Sequence, residues 1–184
     1  MYITYMNKFL SSQISKSIRI VKDFPKKGIL FQDITALTDD QLIFKNIVLE
    51  INQYITNNNI SKIIGIEARG FIFAAAAAYA SNIPFVPIRK KNKLPGKTYK
   101  QKYSLEYGQD EIHIHQNSIN KSDRVLIVDD LIATGGTAIA SSKLLSKFKP
   151  KNISFLMIID LVNLKGSAKI RKNYELVSLY ETQG

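Results

Sequence analysis

Five short apolar runs, at 63–66, 85–88, 125–128, 154–159 and 176–179, carry little polar alternation. Such runs predict strands covered on both faces, as in a parallel sheet. Over 42–54, apolar residues recur at spacings of three and four, which predicts an amphipathic helix. Two stretches share one grammar of apolar run, polar or glycine-containing turn, and helix-like small-residue segment. The first runs through 63–66, 67–70 and 71–81, the second through 125–128, 129–136 and 137–148. Strands alternating with helices indicate an α/β fold with an open, mainly parallel β-sheet flanked by helices. The segment up to about residue 21 is polar and weakly periodic, and reads as a helix packed on the outside. Residues 90–103 hold six lysines, one Pro95-Gly96 pair and no acid. They read as an exposed, mobile loop, because nothing in them offsets the entropy of ordering. Residues 104–106 and 112–115 alternate, as an antiparallel pair flanking a loop would.

The chain is 184 residues long, which fits a single domain over 1–184 with one sizeable core. It contains no cysteine, which excludes disulfides, thiolate metal sites and a cysteine nucleophile. His113 and His115 cannot build a zinc site alone and read as strand-surface residues. The longest apolar stretch, 71–80, falls short of the ~20 residues of a membrane span, and the first ten residues lack a signal pattern. A soluble, cytoplasmic protein is expected. With 26 Lys+Arg against 15 Asp+Glu, the net charge is +11. That implies an anionic partner: nucleic acid, a membrane surface or a phosphorylated small molecule. Seven of the cations fall between Arg89 and Lys102, so the useful part of the charge is local.

The most informative stretch is Val125-Leu126-Ile127-Val128-Asp129-Asp130-Leu131-Ile132-Ala133-Thr134-Gly135-Gly136-Thr137. A buried strand delivers two carboxylates to the carboxyl end of the sheet, where ligands of open α/β folds bind. The Thr-Gly-Gly-Thr turn then opens a helix, combining close backbone approach, two hydroxyls and a positive helix end, all suited to a phosphate. Adjacent acids repel phosphate and instead suit sugar hydroxyls, or a magnesium ion held through water. Phosphate beside diol-binding carboxylates describes ribose 5-phosphate. The Walker pattern and G-x-G-x-x-G are both absent.

This stretch resembles the phosphoribosyl pyrophosphate (PRPP) motif of the type I phosphoribosyltransferase family. Four further segments narrow the resemblance to its adenine-using branch: Phe24 to Ile34, Gly65 to Phe71, Arg89 to Gly96 and Tyr103 to Gly108. The resemblance implies a small N-terminal hood over roughly 1–36 and a flexible catalytic loop over roughly 93–115. It also implies transfer of the 5-phosphoribosyl group of PRPP to adenine, giving AMP and pyrophosphate with Mg2+ through an oxocarbenium-like transition state. Ala133, Thr134, Gly135, Gly136 and Thr137 would cradle the 5-phosphate; Asp129 and Asp130 would hold the ribose hydroxyls, with the magnesium ion nearby on PRPP and water rather than ligated directly.

Glu67, Ala68, Arg69 and Gly70 look like the pyrophosphate loop, where a non-proline cis bond between Glu67 and Ala68 is expected, although the family usually has Asp-Ser where this chain has Glu-Ala. Arg89, Lys90 and Lys93 resemble the cations that meet pyrophosphate, in part across a homodimer interface. Phe31 would stack on adenine, with the backbones of Leu30 and Gln32 reading its edge. Glu106 is the candidate acid/base, sharing a proton near N7 of the attacking base, and Tyr107 would help close the loop. Related 6-oxopurine enzymes carry an Asp before the motif Thr; here that position is Ala133, which disfavours guanine, hypoxanthine or xanthine as the acceptor. The competing reading is a PRPP-sensing regulator that binds RNA or operator DNA through its basic face. It lacks a winged-helix segment ahead of the domain and aromatic residues interleaved with the lysines, so neither nucleic acid nor membrane is expected as a partner.

Overall fold

The computed structural model describes residues 8–24, 26–28, 30–105 and 108–183. In chain order, α1 (Lys8–Ser17), β1 (Arg19–Lys22), β2 (Leu30–Asp33), the short α2 (Thr35–Asp39) and α3 (Gln41–Asn57) come first. They are followed by β3 (Lys62–Ile66), α4 (Gly70–Ser81), β4 (Phe85–Lys90), β5 (Thr98–Leu105), β6 (Gly108–His115), β7 (Arg124–Ile132) and α5 (Gly136–Ser146). The chain ends with β8 (Asn152–Leu161), a 3-10 turn (Val162–Leu164), α6 (Gly166–Arg171) and β9 (Glu175–Thr182).

All five apolar runs become strands of one seven-stranded sheet, in the order β5-β6-β4-β3-β7-β8-β9. The pairs β4–β3, β3–β7, β7–β8 and β8–β9 are parallel, while β6 runs antiparallel to both β4 and β5. The absence of alternation now has its cause, since consecutive residues feed two cores. Ile63, Leu126, Val128 and Leu156 pack on one face with Leu10 and Ile14 of α1, Ile47 and Ile51 of α3 and Phe73 and Ala77 of α4. Ile64, Val125, Ile127 and Phe155 pack on the other with Leu144 and Leu145 of α5. The helix expected over 42–54 is α3; its buried residues, Ile43, Ile47, Ile51 and Ile55, recur every fourth position. Asp40 caps it, its Oδ1 accepting from the Leu42 and Ile43 N–H groups at 2.9 and 3.0 Å, an arrangement worth about 1 kcal/mol.

Three expectations are corrected. The N-terminal helix stops at Ser17, and Arg19–Lys22 is the strand β1, paired with β2. Residues 112–115 pair with 98–101 rather than with 104–106; Ser104 and Leu105 face Gln109 and Gly108. The lysine-rich stretch is irregular only over 91–97; from Thr98 it is β5, paired with β6 from Thr98↔His115 to Leu105↔Gly108. Tyr99 and Tyr103 pack on the core that contains α5, with the Tyr99 ring 5.1 Å from that of Phe148. Lysine is depleted in strands in general, but β5 is the sheet's edge, where lysines discourage pairing with other chains. His113 lies within β6, its Nε2 2.8 Å from Glu111 Oε1 and its Nδ1 3.1 Å from Thr98 Oγ1. Among the described residues no helix is long and apolar enough to cross a membrane.

Candidate active site

The neighbouring strands β3 and β7 are followed by helices that pack on opposite faces of the sheet. Their carboxyl ends therefore open a crevice, the position at which open α/β sheets bind ligands. A cavity of about 810 Å3 fills it, lined by Glu67, Ala68 and Arg69 after β3, by Asp129 and Asp130 of β7, by Ala133, Thr134, Gly135, Gly136 and Thr137, and by Lys90 at the end of β4. The turn 133–137 owes its shape to Gly135, which has φ +80° and immediately precedes α5. With glycine there, no side chain caps the helix. The helix end and its N–H groups remain available to an anion.

The two acids stand at the floor of the cavity. Asp130 is buried, and its Oδ2 lies 3.0 Å from Arg69 Nε without forming an aligned hydrogen bond. Asp129 Oδ1 accepts from the Asp130 N–H at 3.0 Å. Burial pushes the Asp129 carboxyl well above the usual carboxylate range, and the neighbouring Asp130 charge pushes it further. Burial likewise raises Asp130, with Arg69 opposing it. A buried and a half-buried carboxyl group, both lining the cavity, are matched to a ligand bringing hydroxyl donors.

Glu67 turns away from the acids. It accepts from Arg89 Nε at 2.9 Å, Arg89 Nη2 at 3.3 Å and the Lys90 N–H at 2.8 Å. The Arg89 hydrogen bond is the main reason its carboxyl lies below the ordinary range. The Glu67–Ala68 peptide bond is cis, as expected. Arg89 is thus folded back on Glu67, with its guanidinium 5.7 Å from the Phe71 ring, and does not line the cavity. Lys90 does, and its Nζ lies 3.4 Å from Asp110. Lys93 is exposed in the turn after β4, and Gly70 is buried beneath Asp129 rather than facing the cavity.

A second cavity of about 360 Å3, lined by Val21, Phe24, Phe31, Asp33, Ile34, Thr35 and Arg69, adjoins the β1–β2 ribbon. Phe31 meets Phe24 edge-on at 5.0 Å, and the Arg69 guanidinium sits 5.5 Å over its ring. Arg69 is therefore common to both cavities. Gln32 is buried and Leu30 exposed, which is compatible with recognition through backbone groups. Glu106 and Tyr107 lie outside the described residues.

Tyr103, which opens one of the motif segments, and Asp110, which no motif singled out, also wall the larger cavity, with the Tyr103 hydroxyl donating to Asp110 Oδ2 at 3.1 Å. The even spacing of Tyr99 and Tyr103 could have placed those two on one inward face. Among the described residues no group of three His, Asp or Glu forms a metal cage. The pair Asp129 and Asp130, whose Oδ2 on Asp130 makes no hydrogen bond and is ion-paired with Arg69, fits a hard divalent cation only if the ligand supplies the cation's remaining oxygens.

Residues 33–182 match the family model described as a phosphoribosyl transferase domain. At 47% identity over 178 residues, the chain is similar to an adenine phosphoribosyltransferase of Campylobacter curvus, covering 96% of this chain and 98% of that one. Among solved structures it is similar to the adenine phosphoribosyltransferase of Thermoanaerobacter pseudethanolicus, with a TM-score of 0.88, 39% identity and coverage of 93% of this chain and 99% of that one. It is also similar to the Trypanosoma brucei enzyme in complex with AMP, pyrophosphate and ribose-5-phosphate, with a TM-score of 0.86, 27% identity and coverage of 94% and 79%.

Proposed function

The chain belongs to the phosphoribosyl transferase family, and from that premise we propose that it transfers the 5-phosphoribosyl group of PRPP to adenine, releasing AMP and pyrophosphate in purine salvage. The observation that carries this reading is one crevice in which the acids Asp129 and Asp130, the phosphate turn 133–137 and a second, Phe31-lined cavity adjoin, joined by Arg69.

In this reading the 5-phosphate rests on Ala133, Thr134, Gly135, Gly136 and Thr137 at the start of α5, which fixes one end of the sugar. Asp129 and Asp130 accept hydrogen bonds from the ribose hydroxyls. Their fixed positions orient C1 toward the second cavity, converting a bimolecular encounter into an oriented one. Adenine stacks on Phe31, and backbone groups of Leu30 and Gln32 read its edge. Adenine attacks through the N9 lone pair of its N7-protonated form, so that the N9–C1 bond forms as the C1–oxygen bond breaks and its electron pair leaves with pyrophosphate. Glu106 shares and then accepts the N7 proton, keeping the attacking base electron-rich, while Tyr107 closes over the site.

The loop of Glu67, Ala68, Arg69 and Gly70, together with Arg89, Lys90 and Lys93, receives the leaving pyrophosphate, with Arg89 acting in a homodimer. Cations placed where charge develops on a leaving group lower the barrier. A divalent metal ion accompanies PRPP in this family; we assign Mg2+, which when bound neutralises part of the diphosphate charge. A cytoplasmic location belongs to the same reading, because a polyanionic sugar phosphate does not cross a bilayer unaided.

The test is formation of AMP and pyrophosphate in equal amounts from PRPP, adenine and Mg2+ by the purified chain; absence of both products ends the proposal. Glu106→Leu should lower turnover at least about 100-fold, the lower end of the general acid–base range, and leave PRPP binding nearly unchanged. Unchanged turnover removes Glu106 from its role.

A further inference from the structure

The phosphate turn rests against a segment that none of the motifs identified. The 3-10 turn and α6 after β8 bring Gly166, buried, against its back. A Cβ on Gly166 would collide with the Ala133 carbonyl oxygen, and would lie 2.6 Å from the Gly135 nitrogen and 2.8 Å from the Thr134 carbonyl carbon. The reverse also holds: a Cβ on Gly135 would lie 3.0 Å from Gly166 Cα and 3.0 Å from its carbonyl oxygen. All of these atoms are backbone, so no side-chain rotation relieves the clash, and the turn itself would have to move. One helical step further, Lys169 Nζ donates to the Thr134 carbonyl oxygen at 3.0 Å.

Both contacts engage carbonyls. A trans peptide carries its N–H opposite its C=O. Turning the Ala133 carbonyl toward Gly166 therefore aims the Thr134 N–H away from Gly166, and turning the Thr134 carbonyl toward Lys169 aims the Gly135 N–H away from Lys169. Thr134 and Gly135 are also residues that line the cavity.

We propose that Gly166 and Lys169 are positioning residues for the phosphate turn: they set its peptide orientation from behind, and through it the affinity for the 5-phosphate of PRPP and AMP. Neither touches the reacting atoms. The proposal rests on reading the turn 133–137 as the 5-phosphate cradle.

Gly166→Ala should raise the KM for PRPP by roughly 10- to 100-fold, the scale of an ångström-size displacement. It should leave the KM for adenine within about twofold and kcat at saturating PRPP within about threefold. Lys169→Met, at an exposed side chain, should weaken binding of ribose 5-phosphate, followed by calorimetry, by roughly three- to tenfold, the effect of one hydrogen bond. Lys169→Arg should restore it. A purely structural role for α6 would lower the melting temperature and leave the KM ratio of the two substrates unchanged. If wild type binds ribose 5-phosphate and Lys169→Met binds it equally well with an unchanged KM for PRPP, the proposal fails; this variant decides even if Gly166→Ala does not fold. If wild type itself does not bind ribose 5-phosphate, the cradle reading fails instead.

Discussion

Replacing Gly70 by alanine asks whether the aspartate pair must be held in place for the reaction. Gly70 opens α4 directly beneath β7. A Cβ there would lie 2.6 Å from Asp129 Oδ1, 2.9 Å from the Val128 carbonyl oxygen and 3.2 Å from Asp129 Cα. Restoring ordinary van der Waals separation to the first contact requires the carboxylate, or the start of α4, to shift by about 0.8 Å or more. Overpacking a buried position in this way costs about 1–3 kcal/mol. In a chain of this size that lowers Tm by roughly 3–10 °C.

The functional effect should be larger. A misplacement of about an ångström costs on the order of 100-fold, so kcat/KM for PRPP should fall by about 10- to 100-fold in Gly70→Ala. The KM for adenine should change little, because the base cavity does not include Gly70. Steady-state AMP formation with each substrate varied in turn, together with a thermal melt, reads both effects. A variant that melts lower but keeps its kcat/KM for PRPP within twofold of wild type would refute the argument. The steric cost would then be present and the site indifferent to it.

Further outcomes follow from the site's electrostatics. Asp129→Asn should reduce kcat/KM for PRPP by at least about 100-fold, as loss of a transition-state contact to charge does, yet raise Tm at neutral pH. The sign follows from burial: the folded-state pKa of Asp129 is raised, so its stability contribution is complete below the ordinary carboxylate pKa and is lost as pH rises through the folded value. A variant that melts lower than wild type at pH 7.5 but higher at pH 4 would contradict this. Glu67 has the opposite sign. Its pKa is lowered chiefly by the Arg89 hydrogen bond, so its contribution is present above the ordinary value and lost as pH falls through the folded one. Glu67→Gln should therefore flatten the acid limb of the Tm–pH profile, and a limb parallel to that of wild type would show that the pair is not held in solution.

The parallel strands β3, β7 and β8 were legible in the sequence because each is buried on both faces, and that burial imposes unbroken apolar runs; β4 and β9, half-buried along parts of their length, still kept short apolar runs. The strand β5 was not, because an edge strand carries lysines for solubility and resembles a loop in composition. The same division runs through the site. Asp129, Asp130 and the phosphate turn form one continuous stretch, so their partnership is written locally. Arg69 over Phe31, Asp110 against Lys90, and Gly166 behind Gly135 are contacts between distant parts of the chain, and neither period nor motif encodes them. Gly166 in particular sits in Leu164-Lys165-Gly166-Ser167, where glycine reads only as a turn residue; its demand for close approach becomes visible once β8 and β9 bring α6 against the turn.

The central claim is transfer from PRPP to adenine, and a purine panel tests it most directly. The purified chain would be supplied with PRPP, Mg2+ and, in separate reactions, adenine, guanine, hypoxanthine or xanthine, and the nucleotide and pyrophosphate formed would be measured. The account predicts AMP and equimolar pyrophosphate with adenine, and a kcat/KM at least about 100-fold lower with each 6-oxopurine, the discrimination expected when buried polar groups are left unpaired. No turnover with adenine, or comparable turnover with a 6-oxopurine, would contradict it.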